Sequence, residues 1–236
     1  MAVLISLNLS DMLVTALVYK QLVPSLNYFQ FLVPGIVVMG LFTAATDTGR
    51  RIWLALREGV VQYYLTLPIR TSGVAIAYII SGGLSGVVYA SSLLAIASIL
   101  VGPQGLANLL ILLPFLFALA VGIAGLAAFL ASISRQGEIY WVYMQSMQIA
   151  FVTLSTIFYP AATIAKYLPA PLASLAQSNP LSLAAQALRE SVFGPNPLSP
   201  TLLGNLVSTS IPLALVGVGA YLIILQTIRT RGGRGR

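Results

Sequence analysis

DTGRRIWLALREGVVQYYLTLPIR, residues 47–70, is the one long stretch of this chain that water would accept, with four arginines, one aspartate and one glutamate. Ile52, Leu56 and Val60 recur at i, i+4 and i+8, which predicts a helix opening at Asp47 or Thr48 with a single apolar stripe. Arg50, Arg57 and Glu58 fall on its other faces, and Pro68 stops it. An amphipathic helix of this kind lies at a membrane interface or against a partner; a solvated loop between two spans is the plainer alternative.

On either side of it the chain is strongly apolar. Of 236 residues 58% are hydrophobic and 7% charged, and the mean hydropathy is +0.93, more than a soluble domain needs to form a core. Apolar runs of about 20 residues, separated by glycine, proline and charge clusters, read as helices. A barrel would need alternating strands of about 10 residues. The expected fold is all-α: a polytopic integral membrane bundle of about six transmembrane helices, with an amphipathic cytoplasmic helix and two short external helices in a single domain, residues 1–236.

Residues 2–19 lack a basic leader and a small-residue cleavage signal, so they read as a first span and not as a removable signal peptide. Asp11 lies within it. An intramembrane carboxylate is ordinarily a functional candidate, but in so short a run Asp11 is within reach of the outer interface. Further spans are expected at residues 28–46, 73–101, 106–133, 139–159 and 201–228. The third holds Gly82-Gly83-Leu84-Ser85-Gly86, whose small-x-x-x-small spacing lets another helix approach, although such glycines are equally ordinary in membrane helices. Residues 160–200 hold seven of the thirteen prolines, too broken for a span, and two short helices are expected within residues 161–194. The second has Asn179 as N-cap, Pro180 at its first position and Gly194 as terminator.

Orientation follows from the basic residues. With residues 47–70 in the cytosol, nine of the twelve lysines and arginines are inside, and Lys20, Lys166 and Arg189 remain outside. Both termini are then cytoplasmic, the protein lies in the cell membrane, and the proline-rich region is external. Cysteine and histidine are absent, which removes thiol chemistry, disulfides and the commonest metal ligand. Five carboxylates leave little for paired-acid catalysis. The net charge of +7 sits beside apolar spans and is not massed on a soluble face, so nucleic acid is not an expected partner.

Four motifs carry a resemblance: Tyr28-Phe29-Gln30-Phe31-Leu32-Val33-Pro34-Gly35, Arg57-Glu58-Gly59 followed by Leu67-Pro68-Ile69, Phe158-Tyr159-Pro160, and Asn179-Pro180-Leu181 with Ala187-Leu188-Arg189. In this order, and covering most of the chain, they resemble the ABC-2 type transporter permease family. The resemblance implies a permease subunit that forms a homodimer or heterodimer in the bilayer and pairs with two cytosolic ATP-binding subunits, usually to export drugs, lipids or polysaccharides. It makes residues 48–65 a coupling helix whose ATPase interface is Ile52, Trp53, Leu56, Arg57, Glu58 and Val60, and it matches residues 161–194 to the family's external helices. It implies no catalytic, metal or cofactor residue in this chain, since ATP is bound by the partner. In the family's pattern a charged amphipathic helix usually precedes the first span, whereas this sequence opens on the apolar run of residues 2–19, and Gln62 stands where a second acidic residue is often found.

Two other classes stay open. An ion-coupled carrier working alone would use buried ionisable groups near mid-membrane, for which Asp11 is the available residue. A membrane-embedded transferase would gather acids and histidines at one interface, where Asp47 and Glu58 are the nearest approach to such a cluster. Substrate identity is not legible in either case.

Overall fold

The computed structural model describes residues 28–68, 70–101, 106–134, 136–191 and 199–232. The expected first span with Asp11, and Gly194, lie outside them. Nine helices follow one another among the described residues: α1 (Tyr28–Arg57), α2 (Val60–Thr66), α3 (Thr71–Val101), α4 (Leu106–Ile133), α5 (Gly137–Gln148), α6 (Ala161–Tyr167), α7 (Ala170–Ser178), α8 (Pro180–Ser191) and α9 (Pro200–Gly232). Four are long and apolar enough to cross a membrane, over Phe31–Arg57, Thr71–Ala95, Asn108–Ile133 and Pro200–Thr230. The protein is an all-α, multi-pass membrane bundle.

Small residues set how these helices meet. Ala120, Ala124, Ala127, Ala128 and Ala131 of α4 are completely buried, and such residues let helix backbones approach in a membrane. Gly82 of α3 fits where a Cβ would run into Thr48 Oγ1 of α1 and come within 2.8 Å of the Ala124 Cβ. The glycine run in α3 therefore marks where α1, α3 and α4 cross. On another side of α4, a Cβ on Gly125 would lie 2.5 Å from the Gly217 carbonyl carbon of α9, so two backbones are in direct contact there.

Three expectations change. The helix expected over residues 48–65 is not a separate one. Asp47 does not cap a new helix; it accepts hydrogen bonds from Arg50 Nε (2.7 Å) and Arg51 Nε (2.8 Å) inside a helix that runs on to Arg57. The break comes at Gly59, whose φ of 75° is left-handed, and the seven-residue α2 follows. The fifth expected span, residues 139–159, is a helix only to Gln148, continued by a π-helical turn over Ile149–Thr153. Phe158, Tyr159 and Pro160 lie beyond it in irregular chain. Residues 161–191 form three short helices where two were expected, because Pro169 divides the first from the second as Pro180 opens the third.

Candidate functional site

The bundle has two unlike ends. At one, the arginine end, α1 finishes, α2 turns back and α3 begins, and Arg229 Nη1 of α9 donates to Thr71 Oγ1 of α3 at 2.9 Å. Of the residues expected to face a partner here, Ile52 is fully buried in the core, and Leu56 and Val60 are half-buried against it. The apolar stripe therefore seats α1 and α2 on their own bundle, because the helix carrying it is the continuation of a core helix. Trp53 is likewise engaged. Its ring stacks on Tyr140 of α5 at 5.5 Å between centroids, beside Gly137, where a Cβ would lie 3.3 Å from the indole. Arg57 covers the indole, its Cζ 4.8 Å from the ring centre.

Arg57 and Glu58 do face outward. So does one side of α2: Val61 is buried, whereas Gln62, Tyr63 and Thr66 are exposed, Tyr63 at 61%. Tyr63 is the outward aromatic that sequence reasoning passed over. The signal was available in the break at Gly59, which resets the helical phase and sends Val60 and Val61 to the inner side.

Between α1, α3 and α5 lies a cavity of about 250 Å³, lined by aromatic side chains that include Phe42, Tyr89 and Trp141, and by the Asp47–Arg50–Arg51 cluster. Phe42 and Phe151 meet beside it with ring centroids 6.1 Å apart.

At the other end, the proline end, the first and last of the four motifs converge on the chain just before Phe158. The Asn179 carboxamide oxygen accepts from Leu181 N at 3.0 Å and caps α8. Its Nδ2 points the opposite way, 2.6 Å from Leu154 O, 3.0 Å from Phe151 O and 3.2 Å from Ala150 O. These are carbonyls that the end of the π turn leaves without helical partners. Ser182 Oγ accepts from Thr156 N at 2.8 Å and donates to Ala176 O at 2.6 Å.

Arg189 completes this hub. Nε donates to Phe31 O at 2.9 Å, and Nη2 donates to Thr156 O at 3.0 Å and Ile157 O at 2.9 Å. The guanidinium also lies 3.8 Å above the Phe31 ring. Gly35 permits the approach, since a Cβ there would lie 2.6 Å from Ile157 O. One planar cation thus ties α8 to the start of α1 and to the chain after the π turn. From the sequence, Arg189 was legible only as one of three cations on the proline side, because its partners are backbone carbonyls more than 30 residues away.

A family model for ABC-2 type transporters matches residues 2–193, which takes in every described helix from α1 to α8. A search among curated proteins gives no match. The family match takes in the α1, α2 and α3 part of the arginine end together with the hub, and by it the chain belongs to the ABC-2 type transporter family.

Proposed function

We propose that this chain is the membrane subunit of an ATP-driven exporter of drug-like, lipid or polysaccharide substrates, moved by a separate cytosolic ATP-binding subunit. Two copies, identical or related, form the pathway in the cell membrane, with both termini in the cytoplasm. The observation that carries the reading is the outward side of the arginine end: after the left-handed Gly59, α2 seats Val61 inward and leaves Gln62, Tyr63 and Thr66 uncovered beside exposed Arg57 and Glu58. That side replaces the Ile52, Leu56 and Val60 stripe as the coupling surface. Trp53 acts behind it, carrying a push on α2 toward α5 through its stack on Tyr140.

An ion-coupled carrier would use a carboxylate free to change its charge. Asp47 is held by two arginines and is not such a group, while Asp11 lies outside the described residues, so the ATP-driven reading rests on the outward side of α2. Tyr63→Asp tests it. Aromatic side chains dominate many interfaces, and losing one at its centre costs on the order of 2 kcal/mol, or about 30-fold in affinity. The variant should insert and unfold like the wild type, while co-purification of the ATP-binding subunit falls and transport stops. Full retention of both would remove α2 from the coupling.

A further inference from the structure

We propose a second binding site, at the proline end, for a neutral, hydroxyl-rich group; it stands whether or not the chain is driven by an ATPase. Three helices each turn a polar stripe into one groove of about 660 Å³. From α7 come Ser174, Gln177 and Ser178, at i, i+3 and i+4; from α8, Gln186 and Glu190, at i and i+4. From α9 come Thr201, Asn205, Ser208 and Thr209, at i, i+4, i+7 and i+8. Buried Leu183 and Leu202 form the apolar floor.

The chemistry of the lining selects the ligand. Ser174, Ser178, Ser208 and Thr209 all donate their hydroxyl protons to carbonyls of their own helices, at 2.8, 3.3, 3.0 and 3.0 Å, and so keep lone pairs as acceptors. The carboxamides of Gln177 and Asn205 have no partner among the described residues and supply both donors and acceptors. A ligand must therefore donate and accept at several points, as vicinal hydroxyls do. Among the described residues no lysine or arginine lines the groove, so an anion finds no counter-charge from them. The carboxylate of Glu190 already accepts from Gln186 Nε2 at 2.8 Å, and among the described residues the lining has no aromatic face for an ammonium group.

Depth agrees with this chemistry. At about 1.5 Å per residue a 33-residue helix is about 50 Å long, against about 30 Å of hydrocarbon. The polar first turns of α9 can therefore stand among headgroups. A hydroxyl-rich head presented by a glycolipid and a free saccharide share this chemistry.

The test uses the purified full chain in phosphatidylcholine nanodiscs. Native mass spectrometry counts bound dihexosyl diacylglycerol, with maltose as the soluble competitor. Saturable glycolipid binding is expected, weakened about tenfold or more in Gln177→Leu and in Asn205→Leu, each of which loses more than one hydrogen bond. Both positions are exposed, and unchanged thermal unfolding verifies that the fold is intact. Displacement by maltose assigns the site to saccharides in general; resistance to maltose assigns it to the membrane-borne head. No saturable binding of either probe, wild-type affinity in both variants, or equal binding of phosphatidic acid would each overturn the proposal.

Discussion

Replacing Arg189 by leucine keeps the length of the side chain's apolar stem but removes every donor that Arg189 brings to the hub. Three carbonyls, of Phe31, Thr156 and Ile157, then face a hydrocarbon group. At the low end of about 1 kcal/mol for each orphaned acceptor, the loss is about 3 kcal/mol. The guanidinium over the Phe31 ring adds about 1 kcal/mol. Arg189→Leu should therefore cost about 4 kcal/mol. Arg189→Lys keeps the charge and loses the planar fork, so one or two of the carbonyls stay unserved and the cost is about 2 kcal/mol. Equilibrium unfolding in mixed detergent and SDS, followed by the two tryptophans, measures both. Hydrogen exchange should quicken over residues 154–157 before it does in α4. A leucine variant within about 1 kcal/mol of the wild type, or a lysine variant equal to it, would refute the hub as the anchor of α8.

The other expectations follow from single contacts. Asn179→Asp keeps the acceptor that caps α8 but sets a carboxylate against the three carbonyls that Nδ2 serves, so it should destabilise at least as much as Asn179→Ala, about 2 kcal/mol or more; a milder aspartate would mean that the cap alone matters. Trp53→Ala removes the stack between α1 and α5 and should leave ATP hydrolysis by the partner running while transport falls at least tenfold; parallel loss of both would place Trp53 in docking instead. The chain has no native cysteine, so single cysteines report sidedness cleanly. Tyr167→Cys, at a position 74% exposed, should react with an impermeant maleimide added to intact cells, and Gln136→Cys should not; the reverse pattern would invert the topology.

What the sequence made legible, and what it hid, divides by the range of the physics involved. Long apolar runs are a local signal, and α3, α4 and α9 lie where residues 73–101, 106–133 and 201–228 suggest helices. The N-cap role of Asn179 is equally local, being set by its immediate neighbours. The limit of α1 is different. Charged residues after Thr46 suggest that the membrane helix ends, but charge does not stop a helix, and Asp47 paired with Arg50 and Arg51 stabilises its continuation until Gly59. The same confusion of burial with helicity assigned the Ile52 stripe to a partner. At the proline end, the hub depends on backbone carbonyls exposed by a π turn, and nothing in the side-chain pattern of residues 149–153 announces one.

The two ends differ in what restrains them, and this decides where movement is cheap. Around the π turn, directional bonds from Asn179, Ser182 and Arg189 hold main-chain carbonyls and an amide in partly or wholly buried surroundings, so loosening one leaves a polar group unserved. At the arginine end, α1 and α5 meet through stacked rings under an exposed arginine, a contact that can slide with little change in hydrogen bonding. α5 therefore has a pinned end and a free one. Under the ATP-driven reading, a displacement of α2 and the end of α1 reaches α5 through Trp53 and Tyr140, and the helix tilts about the π turn. The cavity between α1, α3 and α5 lies along that lever, and its volume changes with the tilt, while the hub keeps α6, α7 and α8 in place. A loss of transport in Trp53→Ala and a loss of stability in Arg189→Leu are, on this argument, failures of the two ends of one helix.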